Sequence, residues 1–287
     1  MAAIIKHFFD ASSNTFTYVV HDAETNYGVV IDPVLNYEAA AGKCTLESAT
    51  EVIEYVESQG LSIEYILETH IHADHLSATR ILKKALGGQI GIGGQVTEVQ
   101  QTFANVFNID ADFPQDGSQF DVLFEDEDTF KVGNLTFTVW HTPGHTPACV
   151  SFLVDNNIFV GDTLFMPDYG TARTDFPAGS AKSLYQSIQR ILSLTDDTQI
   201  FLCHDYGTAS RKEICGRTSV AEQKANNIHL GNNTTEADFI ALREDRDSKL
   251  KAPALLYPSV QFNIRSGQFP SAEQNGTHYF KIPLRLP

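Results

Sequence analysis

Six consecutive residues, His70-Ile71-His72-Ala73-Asp74-His75, carry three imidazoles and a carboxylate. They follow a strand-like run, Ile63 to Leu67, and precede a helical pattern through Leu76, Thr79, Leu82 and Leu86 that stops at Gly87-Gly88. Burying so many ionisable groups together is costly unless a cation or hydrogen bonds compensate. In an extended loop residues 70 and 72 can point the same way, while 74 and 75 turn back toward them. The spacing predicts a metal site where a strand hands over to a helix, the usual place for chemistry in α/β folds.

Three more ligand-type residues, His145, Asp162 and His204, each follow a strand-like run. Leu135, Phe137 and Val139 alternate with Thr136, Thr138 and Trp140 before His141 and the Pro143-Gly144 turn, so His141 is kept only as a support for the site. Cys149–Val154 and Ile158–Val160 read as a hairpin that ends at Gly161-Asp162, and Gln199–Cys203 as a strand that ends at His204-Asp205-Tyr206. A first hairpin is expected over Phe16–Val20 and Tyr27–Ile31, ending at Asp32-Pro33, with helices over 46–58 and 181–192. His7, His21, His229 and His278 lack such company and are read as structural.

The 287 residues hold 20 basic and 36 acidic side chains, a formal charge of −16 that repels nucleic-acid phosphates and anionic membranes. No apolar run reaches the ~18 residues that suggest a spanning helix. Cys44, Cys149, Cys203 and Cys215 are too few and too scattered for a disulfide scaffold, which fits a reducing compartment. The segment MAAIIKHFFDASSNTFTYVV resembles neither a signal nor a transit peptide, so a cytoplasmic location is expected. Asp110 to Asp128 carries eight acidic residues and reads as a solvated loop. Ser219 with Glu222 and Thr235 with Asp238 resemble capping boxes of two late helices. The stretch 253–287, with Pro253, Pro258, Pro270 and Pro283, is expected to be irregular with strand-like pieces.

Taken together, Thr69 through His75, the isolated His145, Gly161-Asp162 and His204 resemble the metallo-β-lactamase superfamily pattern. The resemblance implies an α/β fold, an αβ/βα sandwich of two central mixed sheets flanked by helices, with metal at one edge. Gly161-Asp162-Thr163-Leu164, then Arg173-Thr174-Asp175-Phe176 and His204-Asp205-Tyr206, is similar to the persulfide dioxygenase group, and Ser219–Asn227 and Tyr257–Ile264 extend that likeness. Phe165-Met166-Pro167-Asp168-Tyr169-Gly170-Thr171-Ala172-Arg173 is similar to the bacterial branch first named β-lactamase-like hydrolase, and differs from the shorter glycine-rich connection of the mitochondrial type. Ligands spread from 70 to 204 point to one catalytic core, 1–230, with a C-terminal extension, 231–287, packed on it.

The resemblance implies one Fe(II) held by His70, His145 and Asp162, with His72, Asp74, His75, His204 and Tyr206 as the polar catalytic residues around it. Two imidazoles and a carboxylate on one face of iron leave positions open for oxygen and substrate. The implied reaction oxidises glutathione persulfide with O2 to sulfite and glutathione, and a rhodanese-like partner could supply the persulfide. The alternative is a glyoxalase II type thioester hydrolase, whose binuclear zinc or other metal site would also use His72, Asp74, His75 and His204. Arg173 is the first choice to hold a glutathione carboxylate, with Tyr206 as a hydroxyl donor. Asp175 and Asp205 are expected to orient Arg173 or a ligand histidine. Arg211, Lys212 and Arg217 are read as a solvated basic face, and Cys203 as a packed thiol rather than a nucleophile. A homodimer is compatible with this reading; nucleic acid and membrane are not expected partners.

Overall fold

The computed structural model describes residues 3–231 and 234–284. The chain opens with β1 (Ala3–Asp10), β2 (Thr15–Asp22), β3 (Tyr27–Ile31), β4 (Val34–Glu38) and β5 (Lys43–Thr45). Helix α1 (Glu47–Ser58) leads into β6 (Ser62–Leu67). After the histidine-rich loop come β7 (Leu76–Ser77), α2 (Thr79–Leu86), β8 (Gln89–Gly93), α3 (Val96–Phe107) and β9 (Val122–Phe124). The second half adds β10 (Thr129–Val132), β11 (Leu135–His141), β12 (Val150–Val154), β13 (Asn157–Phe159), α4 (Ala181–Leu192), β14 (Gln199–Phe201) and β15 (Arg217–Ser219). Three helices close it: α5 (Val220–Asn226), α6 (Glu236–Asp247) and α7 (Leu256–Asn263).

Period-two patterning decides how these pieces stack. Phe16, Tyr18 and Val20 of β2 face Phe137, Val139, Phe152 and Val154 of β11 and β12 in a core between two sheets, while Val19 points the other way onto α1 and α2. The first sheet runs β1-β2-β3-β6-β8-β9 and the second β10-β11-β12-β13-β14-β15. Both are mixed: β3, β6, β8 and β9 are parallel, and in the second sheet only β13 and β14 are. Leu184, Ile188 and Ile191 of α4 cover the second sheet's outer face together with Val220 of α5 and Phe239 of α6. The result is the expected αβ/βα sandwich. Among the described residues no helix is long and apolar enough to cross a membrane.

The ends of β6, β13 and β14 and the loop after β11 meet at one edge of the sandwich. Gly144 makes part of that convergence possible. Its φ is +143°, and a Cβ there would lie 2.3 Å from the Leu184 backbone, so the turn before His145 can press directly on α4.

Several elements differ from the sequence expectations. Leu256–Asn263 is a helix, not irregular chain: Val260 and Ile264 pack on α3, and Phe262 packs under the first sheet. Pro258 sits in its first turn, where a missing N–H costs no intrahelical bond. The acidic stretch is only partly solvated, because Phe120 and Phe124 are buried and Val122–Phe124 adds an edge strand. Phe137 lies at the centre of the inter-sheet core with no exposed surface. Phe137→Ala should cost about 3–5 kcal/mol of stability, read as a lower urea midpoint with unchanged m-value.

Candidate metal centre

The centre is built outward from Asp32, the residue directly after β3, with φ at +51°. Its carboxylate accepts from the Thr69 amide (2.8 Å) and the Thr69 hydroxyl (2.9 Å), pinning the start of the histidine loop to the end of β3. Because the Thr69 hydroxyl gives its proton to Asp32, it must accept from His70 Nδ1 at 2.9 Å. His70 Nε2 is therefore the atom with a free lone pair.

The same logic fixes the other rings. His145 Nδ1 donates to the Arg173 carbonyl at 2.8 Å, and His75 Nδ1 to the Leu76 carbonyl at 3.0 Å. His204 Nδ1 donates to the Asn14 carbonyl at 3.2 Å, beside the Thr15 hydroxyl. For these three rings Nε2 is left to face the centre. His72 is turned the other way: its Nε2 lies 3.1 Å from Asp32 Oδ1 and 3.0 Å from Glu68 Oε2, leaving Nδ1 inward.

Among the described residues, six buried atoms in this region have no hydrogen-bond partner: His70 Nε2, His72 Nδ1, Asp74 Oδ2, His75 Nε2, Asp162 Oδ1 and His204 Nε2. Unpaired buried polar atoms are rare, and a cluster of lone-pair donors facing one another fits a cation. Asp162 sits between two lobes. Its Oδ2 is 3.9 Å from His70 Nε2 and 3.6 Å from His145 Nε2, while its Oδ1 is 3.2 Å from His204 Nε2. Asp74 Oδ2 lies 3.3 Å from His204 Nε2 on the second side. Gly161, with φ at +51°, lets the Asp162 turn approach Thr69, where a Cβ would stand 2.5 Å from the hydroxyl.

The electrostatics suit cation binding. Burial and the neighbouring His72 and His145 push His70 well below its ordinary pKa, and burial takes His75 down to about 4, so both imidazoles are neutral near pH 7. Burial opposes ionisation of Asp32, but the His72 and Thr69 contacts outweigh it and its pKa falls. Burial likewise disfavours the His72 cation, yet Asp32 raises that ring well above normal; metal at Nδ1 would take over the proton's role toward the carboxylates.

The structure thus brings His70, His72, Asp74, His75, His145, Asp162 and His204 to one place, and a cavity of about 440 Å³ opens over it. Tyr206 lines this cavity, stacked on His204 at 5.6 Å and tilted against Tyr169 at 5.0 Å. Arg173 lines it too, but its guanidinium is already gripped by Asp175 at 2.6 and 2.7 Å and donates to the Lys251 carbonyl. Arg246 shares the cavity and has no carboxylate partner among the described residues.

Three supporting expectations change. Asp205 orients neither Arg173 nor a ligand ring; it grips Arg211 and the Cys215 amide. Arg211 is accordingly not a solvated charge but a tie between Asp168 and Asp205. His141 supports nothing at the site, since its Nε2 contacts the Phe124 carbonyl. Cys203 is buried, with its pKa raised by burial, and its Sγ lies 3.7 Å from Asp32 Oδ2 and within 4.8 Å of ring nitrogens of His72 and His204.

Asp32, Glu68 and Asn263 are the residues that sequence reasoning missed. The available signal was position: Asp32 directly follows a strand parallel to the one that carries the ligand loop, and Glu68 begins that loop. Asp32→Asn keeps the shape but sets an N–H₂ against the Thr69 or His72 donors. It should weaken metal binding about 10–100-fold in a chelator competition.

The Lactamase_B family model, described as the metallo-beta-lactamase superfamily, matches residues 12–204. Glyoxylase B2 of Dictyostelium discoideum is 45% identical over 284 residues, covering 98% of this chain and 97% of that protein. The mitochondrial persulfide dioxygenase ETHE1 of Homo sapiens is 32% identical over 206 residues, covering 71% of this chain and 68% of that one. Among solved structures, ETHE1 from Myxococcus xanthus superposes with a TM-score of 0.73 at 29% identity, covering 92% of this chain and 100% of that one. The protein belongs to the metallo-β-lactamase superfamily, with relatives in both its hydrolase-like and its persulfide dioxygenase branches.

Proposed function

We propose that this metal-dependent enzyme hydrolyses a thioester of glutathione at a binuclear centre, in the manner of a glyoxalase II. The observation that carries the reading is the complete donor set on both sides of Asp162. His70, His72 and His145 would hold one ion; Asp74, His75 and His204 would hold the other; the two carboxylate oxygens of Asp162 face one lobe each. Metal on these donors would supply Lewis acidity and activation of water near neutral pH. Near-full-length similarity to the glyoxylase of Dictyostelium supports the same reading.

The chain's own residues account for binding and orientation. Phe165, Tyr169 and Tyr206 form an aromatic wall beside the centre, with ring separations of 5.0 to 6.0 Å. That wall would border the bound substrate on one side, and Tyr206 would offer it a hydroxyl donor from the cavity lining. Carboxylates of the glutathione moiety need cationic partners in an otherwise acidic protein. Arg246 offers a guanidinium with no carboxylate partner among the described residues, whereas Arg173 must share its charge with Asp175.

A second reading is favoured by a separate observation: donor atoms of His70, His145 and Asp162 all lie within 4.8 Å of one another. Two imidazoles and a carboxylate on one face are the donor set of a single non-heme Fe(II). In that case glutathione persulfide, O2 and water would give glutathione, sulfite and two protons. The similarity to the ETHE1 structure supports this branch.

Anaerobic purification with metal quantification, followed by two assays on the same sample, separates the readings. Two metals per chain, release of thiol from a hydroxyacylglutathione and no O2 uptake with glutathione persulfide are expected. One iron per chain, O2 uptake and no thioester turnover would overturn hydrolysis in favour of the dioxygenase. Asp162→Ala should lose bound metal and fall to background in either assay, because its carboxylate serves both lobes.

A further inference from the structure

The loops that carry the metal donors are tied down by the last two helices. On α6, Arg243 and Asp247 form a buried ion pair one turn apart. Asp247 Oδ2 accepts from the Thr174 amide at 2.8 Å and from the Thr174 hydroxyl at 3.1 Å, while Arg243 Nη1 donates to the Thr171 carbonyl at 3.2 Å. Both ends of the segment 171–174 are therefore anchored to α6. Between those anchors lies the Arg173 carbonyl, the acceptor for His145 Nδ1. A carbonyl oxygen cannot donate, so its position dictates that His145 carries its proton on Nδ1 and offers Nε2 to the centre.

An independent tie runs from α7. Asn263 Nδ2 donates to the carbonyls of His72 and His75, each at 2.9 Å, and its Oδ1 accepts from the Ser77 amide at 2.9 Å. One amide thus spans the whole turn between two candidate ligands. All the side chains concerned are buried.

We infer that α6 and α7 set the geometry of the metal centre, with Asp247 a positioning residue for His145 and Asn263 a positioning residue for His72 and His75. This rests on the residues forming a metal centre, and is independent of whether that centre hydrolyses or oxygenates. Helices α6 and α7 are then an integral part of the site, and a chain lacking α6 would lose the anchors that fix the His145 tautomer.

The test uses the full chain stripped of metal, comparing parent, Asp247→Asn, Asn263→Asp and Thr235→Ala. Thr235 caps the same helix α6 through the Asp238 amide but does not touch the 171–174 segment, so its variant reports helix stability alone. In Asp247→Asn an N–H₂ must face either Thr174 or Arg243, both donors. Expected there are Co(II) affinity lowered about 10–100-fold, an altered Co(II) visible spectrum, and loss of the single Nδ1–H tautomer of His145 in ¹⁵N spectra. Asn263→Asp should weaken Co(II) similarly while leaving the His145 tautomer intact. Thr235→Ala should lower Tm by about 2–4 °C with parental Co(II) binding and tautomer. Parental tautomer and affinity in Asp247→Asn, or equal losses in Thr235→Ala, would overturn the role of Asp247; unchanged affinity in Asn263→Asp would overturn that of Asn263. Should Asp247→Asn fail to fold, Thr174→Val removes only the hydroxyl contact and is expected to weaken Co(II) several-fold, with parental affinity counting against the proposal. A parent that takes up no Co(II) would sink the metal centre itself, while the tautomer comparison would still decide the Asp247 contact.

Discussion

The centre depends on each imaginable donor ring having its second nitrogen occupied. Thr69, Arg173, Leu76 and Asn14 provide oxygens for the outward nitrogens of His70, His145, His75 and His204, and Asp32 with Glu68 does so for His72. Without those acceptors the rings could rotate or exchange tautomers, and the inward lone pairs would be lost. With them, five imidazoles are held buried in a fixed orientation, which is tolerable in a low-dielectric interior only if something positive meets the inward atoms. The fold therefore carries the cost of an exposed-lone-pair cluster in its ground plan.

The donor rings, Asp162 and the acceptors that hold the rings come from both halves of the sandwich. Asp32 directly follows β3 of the first sheet, His145 and Asp162 lie after strands of the second, and Thr15 of β2 forms an isolated bridge with His204 beyond β14. The Phe16 amide also donates to the Cys203 carbonyl at 2.7 Å. The inter-sheet aromatic core, from Phe16 and Tyr18 across to Phe159 and Phe201, is what keeps these edges in register. A shift of one sheet against the other would move ligands on both sides of Asp162 at once, so packing at the core and precision at the site are coupled.

Charge acts at a different scale. A formal −16 sets the average field and disfavours polyanionic partners, whereas the local field at the cavity is set by the few guanidinium groups that line it. Two of these are neutralised internally, Arg173 by Asp175 and Arg243 by Asp247, and outside the cavity Arg211 is likewise paired with Asp168 and Asp205. Such pairs hold loops in place more than they attract ligands, which explains why counting basic residues along the chain misjudged Arg211.

By itself the amino-acid sequence determined the alternating strands and the seven candidate donors, because period-two alternation, a dense run of His and Asp, and single ligand-type residues after strand-like runs are local signals that survive without any knowledge of contacts; the two-sheet sandwich was implied by the family resemblance those residues carry. The sequence also placed each donor at a strand end. What only the tertiary structure decided is which nitrogen of each ring faces inward, that Asp32 and Glu68 back His72, that Arg173 is already paired, and that Asp247 and Asn263 reach the ligand loops from α6 and α7. These are contacts between residues 28 to 191 positions apart, or choices among acceptors that a short polar segment offers equally. Hydrogen-bond partners at such separation are set by how the layers pack, and nothing in the local pattern of a chain encodes them.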